Sequence, residues 1–369
     1  MSLYDVARTL VNDYTRSQAG KLWQSYLLSA KLRDLRARLG LTQAEVAKRS
    51  GISESTIRNY EQQKSTPKQP HLEALAHAFD IRAEALKLYD IDLMPANALF
   101  QLGDTYGLAP RYDKKFAILE PTTSYMREFL SAWAEQYASL KSESLTRSEY
   151  EQWKDEFFYS FDPSEFPLRY RETEHGFELI EPWQKVQFSQ ALQRLRKKNG
   201  QTQEELGIRS GITKATIRSY EQRKRLPQSA QLEALALTLK VTEVALIFFD
   251  FGSPVQASHA LFQIANQYGL IPDFVDGQAV LRTIQPGLER YIDEWAYALD
   301  GNYESAEPYG ADTYQEWKDR YKPDGLSGTD WKSRYRLYFD STGRLTNAAE
   351  SDNDPFNPKY DEQGGFLRA

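Results

Sequence analysis

Apolar positions along the chain recur at helical spacing in short segments that glycine and proline keep interrupting. Over 21–92 the breaks fall at Gly40, Gly51 and Pro67–Pro70; over 181–251 they fall at Gly200, Gly211 and Pro227. Both stretches predict runs of short helices. Each is followed by a helix ending at Tyr106-Gly107 or Tyr268-Gly269, then a short apolar stretch (Phe116–Leu119; Ala279–Leu281). Helices are expected around Trp133 and Trp153, and around Trp295 and Trp317, and each half closes on a hairpin over 168–180 or 335–346. The longest apolar run, Val244–Phe249, is far below the roughly 20 residues that span a bilayer.

The parallel between the halves is a duplication. Residues 41–64 and 201–224 align without a gap at an offset of 160, with 14 of 24 positions identical. Ala98-Leu99-Phe100-Gln101 matches Ala260-Leu261-Phe262-Gln263 at 162, and Trp153-Lys154-Asp155 matches Trp317-Lys318-Asp319 at 164. The repeating unit is about 160 residues, far longer than a solenoid repeat. The expected organisation is an N-terminal helix (1–20), a first helical head (21–94), a spacer (95–180), a second head (181–254), a second spacer (255–346) and an acidic tail (347–369).

Composition narrows the chemistry. With no cysteine among 369 residues, disulfides, thiolate metal sites and cysteine nucleophiles are excluded. No basic-then-apolar leader stands in 1–10, so a cytoplasmic protein without membrane contact is expected. The net charge of −6 conceals two basic islands. Residues 31–69 hold nine basic against four acidic side chains, and 191–229 hold ten against three, leaving −18 on the remainder. Local contacts to a polyanion follow from that distribution.

The islands coincide with the best-defined local structure. Thr42 can cap a helix through Ser50 with Glu45 completing a capping box, and Gly51 can end it in the left-handed region. Ser53 can then cap a second helix to about Gln62. Val46, Ala47, Ile52, Ile57 and Tyr60 fall where the two helices and their turn must pack, and Leu206, Gly207, Ile212, Ile217 and Tyr220 repeat the set. Two helices crossing at a tight turn on a basic surface form a unit able to enter a DNA major groove.

These residues resemble the Cro/CI-type (lambda-repressor-like, XRE) helix-turn-helix family: Thr42-Gln43, Glu45, Ala47, Ser50-Gly51-Ile52-Ser53, Thr56-Ile57, Tyr60-Glu61 and Lys64, with counterparts at 202–224. The resemblance covers 29–92 and 189–251. It implies a five-helix lambda-repressor-like DNA-binding domain in each half; with the repeat and the spacers read above, the expected fold is mainly α, a tandem duplication in which each such domain is followed by a small, mostly helical spacer domain ending in a β-hairpin. It implies a base-reading face of Ser53, Glu54, Ser55, Arg58 and Asn59, then Thr213, Lys214, Ala215, Arg218 and Ser219. Phosphate contacts fall to Thr42, Gln43, Lys64 and Lys68, then Thr202, Gln203, Arg223, Lys224 and Arg225. Arg36 and Arg196 are expected to pair with Glu61 and Glu221 as structural ion pairs.

Of the ten positions that differ between 41–64 and 201–224, four (53, 54, 55 and 59) lie on that face. The expected partner is double-stranded DNA, read by one chain as a pseudo-dimer in cis on unequal half-sites. The leading expectation is a transcriptional regulator such as a repressor. An architectural DNA-binding protein of a mobile element, serving plasmid maintenance, transfer or replication control, remains the alternative. No cofactor, metal or enzymatic activity is expected, since His71, His77, His175 and His259 lack zincin spacing and no phosphate-cradling glycine loop occurs. The spacers hold five of the seven tryptophans, which suits a core or an interface: between the repeats, with a second copy, or with a protein partner.

Overall fold

A computed structural model describes residues 25, 27–88, 95–113, 116–167, 169–174, 176–180, 183–249, 251–283, 286–302, 313–321, 338–339 and 345–346. The expected N-terminal helix, the acidic tail, His175 and Trp331 lie outside them. Among the described residues, no helix is long and apolar enough to cross a membrane.

The first head comprises α1 (27–38), α2 (Gln43–Ser50), α3 (Glu54–Glu61) and α4 (Gln69–Phe79). The second comprises α8 (Trp183–Lys198), α9 (Gln203–Ser210), α10 (Lys214–Glu221) and α11 (Ser229–Leu239). Leu28, Leu32, Leu35, Val46, Ile52, Ile57, Tyr60, Leu75, Phe79 and Leu86 form one core, and their counterparts 160 residues on form the other. The fifth helix expected in each head is instead a four-residue 3-10 turn, Ala83–Leu86 and Glu243–Leu246. One turn is enough there, because it has only to bury Leu86 or Leu246 over the end of the preceding helix.

The spacers do not close separately. The first supplies α5 (Pro95–Tyr106), β1 (Leu108–Asp113), β2 (Phe116–Pro121), α6 (Ser124–Lys141) and α7 (Arg147–Glu156). The second supplies α12 (Pro254–Tyr268), β5 (Leu270–Val275), β6 (Gln278–Thr283), α13 (Pro286–Tyr297) and α14 (Tyr314–Arg320). The two hairpins join into one antiparallel sheet of order β1-β2-β6-β5. At its centre Leu119 pairs with Leu281, its own counterpart in the other unit. A residue pairing with its own repeat across antiparallel strands places a local two-fold axis there, as at the interface of a symmetric dimer. Pro110 and Pro272 occupy the two outer strands, where a missing N–H does not interrupt the ladder.

Helices cross over this axis. α6 of the first unit packs mainly on β5 and β6 of the second, and α13 packs mainly on β1 and β2. Phe100 meets Trp295 edge-on at 4.9 Å and Trp317 at 5.6 Å; Phe262 meets Trp133 at 4.8 Å and Trp153 at 5.7 Å. The repeated Ala-Leu-Phe-Gln motif thus inserts its phenylalanine between the tryptophans of the other unit. Each such pair contributes about 0.5–1.5 kcal/mol beyond simple burial. The core of each unit is incomplete without its partner. The first expected hairpin is present as β3 (Tyr170–Thr173) and β4 (Gly176–Leu179). Of the second, the described part is the pairing of Tyr338-Phe339 with Leu345-Thr346.

Candidate nucleic-acid interface

Local sequence positions α3 and α10. The Thr42 hydroxyl accepts from the Glu45 amide, and the Glu45 carboxylate accepts from the Thr42 amide at 2.8 Å; Thr202 and Glu205 repeat the box. These bonds lower the carboxyl pKa of Glu45 and Glu205. Gly51 and Gly211 end α2 and α9 at φ 71° and 67°, where a side chain would strain the backbone. Ser53 and Thr213 cap α3 and α10 by accepting from the Thr56 and Thr216 amides. The turn is tight enough that a β-carbon on Gly207 would stand 2.6 Å from the Ile212 carbonyl oxygen.

Behind α3 and α10 lie matching three-residue networks. The Arg36 guanidinium donates twice to the Glu61 carboxylate (2.8 and 3.1 Å), and Gln43 Nε2 donates to the same carboxylate at 2.7 Å. Arg196 donates to Glu221 at 2.5 and 3.0 Å, and Gln203 donates at 2.7 Å. Hydrogen bonds to the glutamate carboxylates raise both arginine pKa values against the opposing effect of desolvation. The structural pairing read from sequence is therefore present in both heads. It also reaches Gln43 and Gln203, fixing the amides at the mouth of the helix-turn-helix. The sequence assigns Gln43 and Gln203 only to phosphate contact and gives no sign of this link to Glu61 and Glu221.

On the outer face Ser53, Glu54, Ser55, Arg58 and Asn59 are all exposed, as are Thr213, Lys214, Ala215 and Arg218, while Ser219 is half-buried. Glu54 pairs with Arg58 at 2.8 Å, and Arg58 Nε reaches Gln43 Oε1 at 3.4 Å. In the second head Lys214 turns instead to Glu204 at 2.8 Å. Thr42, Lys64 and Lys68, with Thr202, Arg223 and Lys224, are exposed around these helices. Arg225 folds back, donating to Thr216 Oγ1 at 2.6 Å with its guanidinium over the Tyr220 ring. Tyr60 and Tyr220 are buried; their hydroxyls bond His71 Nδ1 and Gln231 Oε1 on the following helix, both at 2.6 Å.

Arg169 is fully buried, donates to the Gly252 carbonyl at 2.5 Å and lies over the Trp183 ring. No group of three metal-ligating side chains occurs among the described residues. A family model described as helix-turn-helix matches residues 32–86, and one described as helix-turn-helix domain matches 187–246. No curated protein and no solved structure matches the chain.

Proposed function

From two tandem helix-turn-helix domains carried on one shared core, we propose that this chain is a sequence-specific double-stranded DNA-binding transcriptional regulator. It acts as a dimer within one polypeptide and reads an asymmetric operator through the major groove. The observation that carries this reading is identical framing of different chemistry. Both recognition helices are capped by a side-chain hydroxyl and have the same buried faces and the same Arg-Glu-Gln support. Their exposed faces are Ser-Glu-Ser with Asn59 in one and Thr-Lys-Ala with Ser219 in the other.

On that reading Glu54 accepts from cytosine N4, Lys214 donates to guanine O6 or N7, and Asn59 pairs with adenine in a way Ser219 cannot. Thr42, Gln43, Lys64, Lys68, Thr202, Gln203, Arg223, Lys224 and Arg225 hold phosphates and set register without reading sequence. The Glu54–Arg58 and Lys214–Glu204 pairs release those side chains when DNA arrives; both are solvent-exposed, so opening them costs at most about 1 kcal/mol each.

Selection from random duplexes at ~150 mM salt tests the proposal. The parent is run beside Arg58→Ala/Asn59→Ala and Lys214→Ala/Arg218→Ala. A composite motif that loses a different half in each variant is the expected result. Exchanging Glu54 and Lys214 then alters preference at two base pairs by about 1–3 kcal/mol each. A perfect palindrome read equally by both heads would refute the asymmetric operator. Binding that is salt-sensitive but enriches no sequence would assign an architectural role instead.

A further inference from the structure

The tripeptides Trp153-Lys154-Asp155 and Trp317-Lys318-Asp319, at the ends of α7 and α14, are no part of the candidate interface, yet they recur in both units. Each member of the tripeptide makes a different connection. The tryptophan packs on a phenylalanine of the other unit, Trp153 on Phe262 and Trp317 on Phe100. The lysine reaches the same helix of the other unit one turn further on. Lys154 Nζ donates to Asn266 Oδ1 at 3.3 Å, and Lys318 Nζ pairs with Asp104 at 2.6 Å. Asn266 and Asp104 are themselves repeat counterparts at offset 162.

The aspartate turns the opposite way, to the DNA-reading head of its own unit. Asp155 is almost fully buried and receives both Lys31 and Arg38 of α1, the latter at 2.6 Å. Asp319, equally buried, receives the Arg194 guanidinium of α8 through two bonds at 2.6 and 2.8 Å. The backbone carbonyls act too. Asp155 O accepts from the Arg82 amide at 3.1 Å, and Asp319 O accepts from the Thr242 amide at 2.9 Å, each at the start of the 3-10 turn that closes the head. Three consecutive residues therefore bind head, own spacer and opposite unit into one body, twice over.

We propose that these Trp-Lys-Asp connectors are positioning and specificity-determining elements: they fix the separation of the two heads and so the spacing of half-sites that the chain accepts. This rests on the DNA-reading function proposed above. A head tied to the core only through a flexible chain would tolerate many spacers, because effective concentration varies slowly with tether length. A head clamped by a buried ion pair, a carbonyl cap and a cross-unit contact has one permitted position. The ion pairs differ between copies while the aspartate is retained, so the requirement falls on the acceptor.

The chain lacks cysteine, so Gln62→Cys and Gln222→Cys, both exposed just beyond the recognition helices, take spin labels at two sites alone. Dipolar spectroscopy then reads the head-to-head distance without DNA. The parent is expected to give one narrow distribution, and Asp155→Asn/Asp319→Asn to widen it about twofold or more. On duplexes with two half-sites at graded spacing, preference for the best spacer over one 2 bp longer or shorter should fall about tenfold, with single half-site affinity within about twofold. An unchanged narrow distribution in the folded double variant overturns the proposal. If that variant unfolds, Lys31→Gln/Arg38→Gln/Arg194→Gln decides from the head side. An unchanged distribution there, or loss of its fold as well, overturns it equally. Distances that respond as expected while the parent enriches no duplex would refute DNA reading and leave the connectors standing.

Discussion

Glu221→Gln removes one charge from the network behind the second recognition helix and changes no shape. The Glu221 side chain is 6% exposed and Arg196 is 13% exposed. Breaking a buried ion pair from one side costs about 3–5 kcal/mol, because the remaining charge is left without its partner. Arg196 keeps one acceptor, the Gln201 carbonyl at 2.8 Å, and the new amide oxygen still accepts from one donor. The loss should therefore fall below that range, at about 2–3 kcal/mol. If the head opens locally, amide protection over 203–221 falls about 30- to 150-fold. Hydrogen exchange read by mass spectrometry measures this, and the duplication supplies the control: peptides over 43–61 should keep their protection. Protection at 203–221 within threefold of the parent would show that the pair carries little of the head's stability. An equal loss in both heads would refute the assignment of the effect to this network.

Two further perturbations test the joined core. Burial depresses the His259 imidazole to about 4, against a Phe157 carbonyl at 3.3 Å that favours the protonated form. The unfolded chain takes up that proton first, near pH 6.5, so stability falls as pH drops from about 6.5 to 4, by up to about 3 kcal/mol. Replacing His259 with asparagine, the residue at the matching position 97, should remove that component from the pH dependence of the unfolding midpoint. An unaltered dependence would show that the imidazole is not the group responsible. Tyr150→Phe leaves the buried Trp133 indole N–H without its acceptor at 2.7 Å, at a cost of about 1–3 kcal/mol in denaturant unfolding. The double variant Trp133→Phe/Tyr150→Phe should recover part of the cost of removing the acceptor; strict additivity would argue against the coupling.

The interlocked core bears on how the function can be dissected. Deleting one repeat would strip α6 or α13 of the strands it packs on and Phe100 or Phe262 of its tryptophans. A single repeat is then expected to expose apolar surface, so point substitutions on the recognition helices are the cleaner way to silence one head.

What the sequence determined by itself was mostly governed by neighbours within about thirty residues. The capping boxes, the left-handed glycines at 51 and 211 and the buried faces of the heads follow from spacing along short helices, where a residue's partners are set by its register, whereas the Arg36–Glu61 pair, which joins two helices, was implied only by the family resemblance. The repeat itself, and the basic islands within an acidic chain, were equally plain. Tertiary structure decided how the spacers close. β1 contains Pro110, Arg111 and Asp113 and reads as no strand; it is one because it lines the edge of a sheet whose centre joins residues 162 positions apart. The tryptophans gave no sign of which phenylalanine they would meet, since an aromatic packs as well on its own unit as on the other. The aspartates of the connectors look like ordinary helix-end charges until the fold brings α1 and α8 against them. Pairings of that kind are chosen by the total apolar surface buried when both units fold together, and no local pattern encodes the sum.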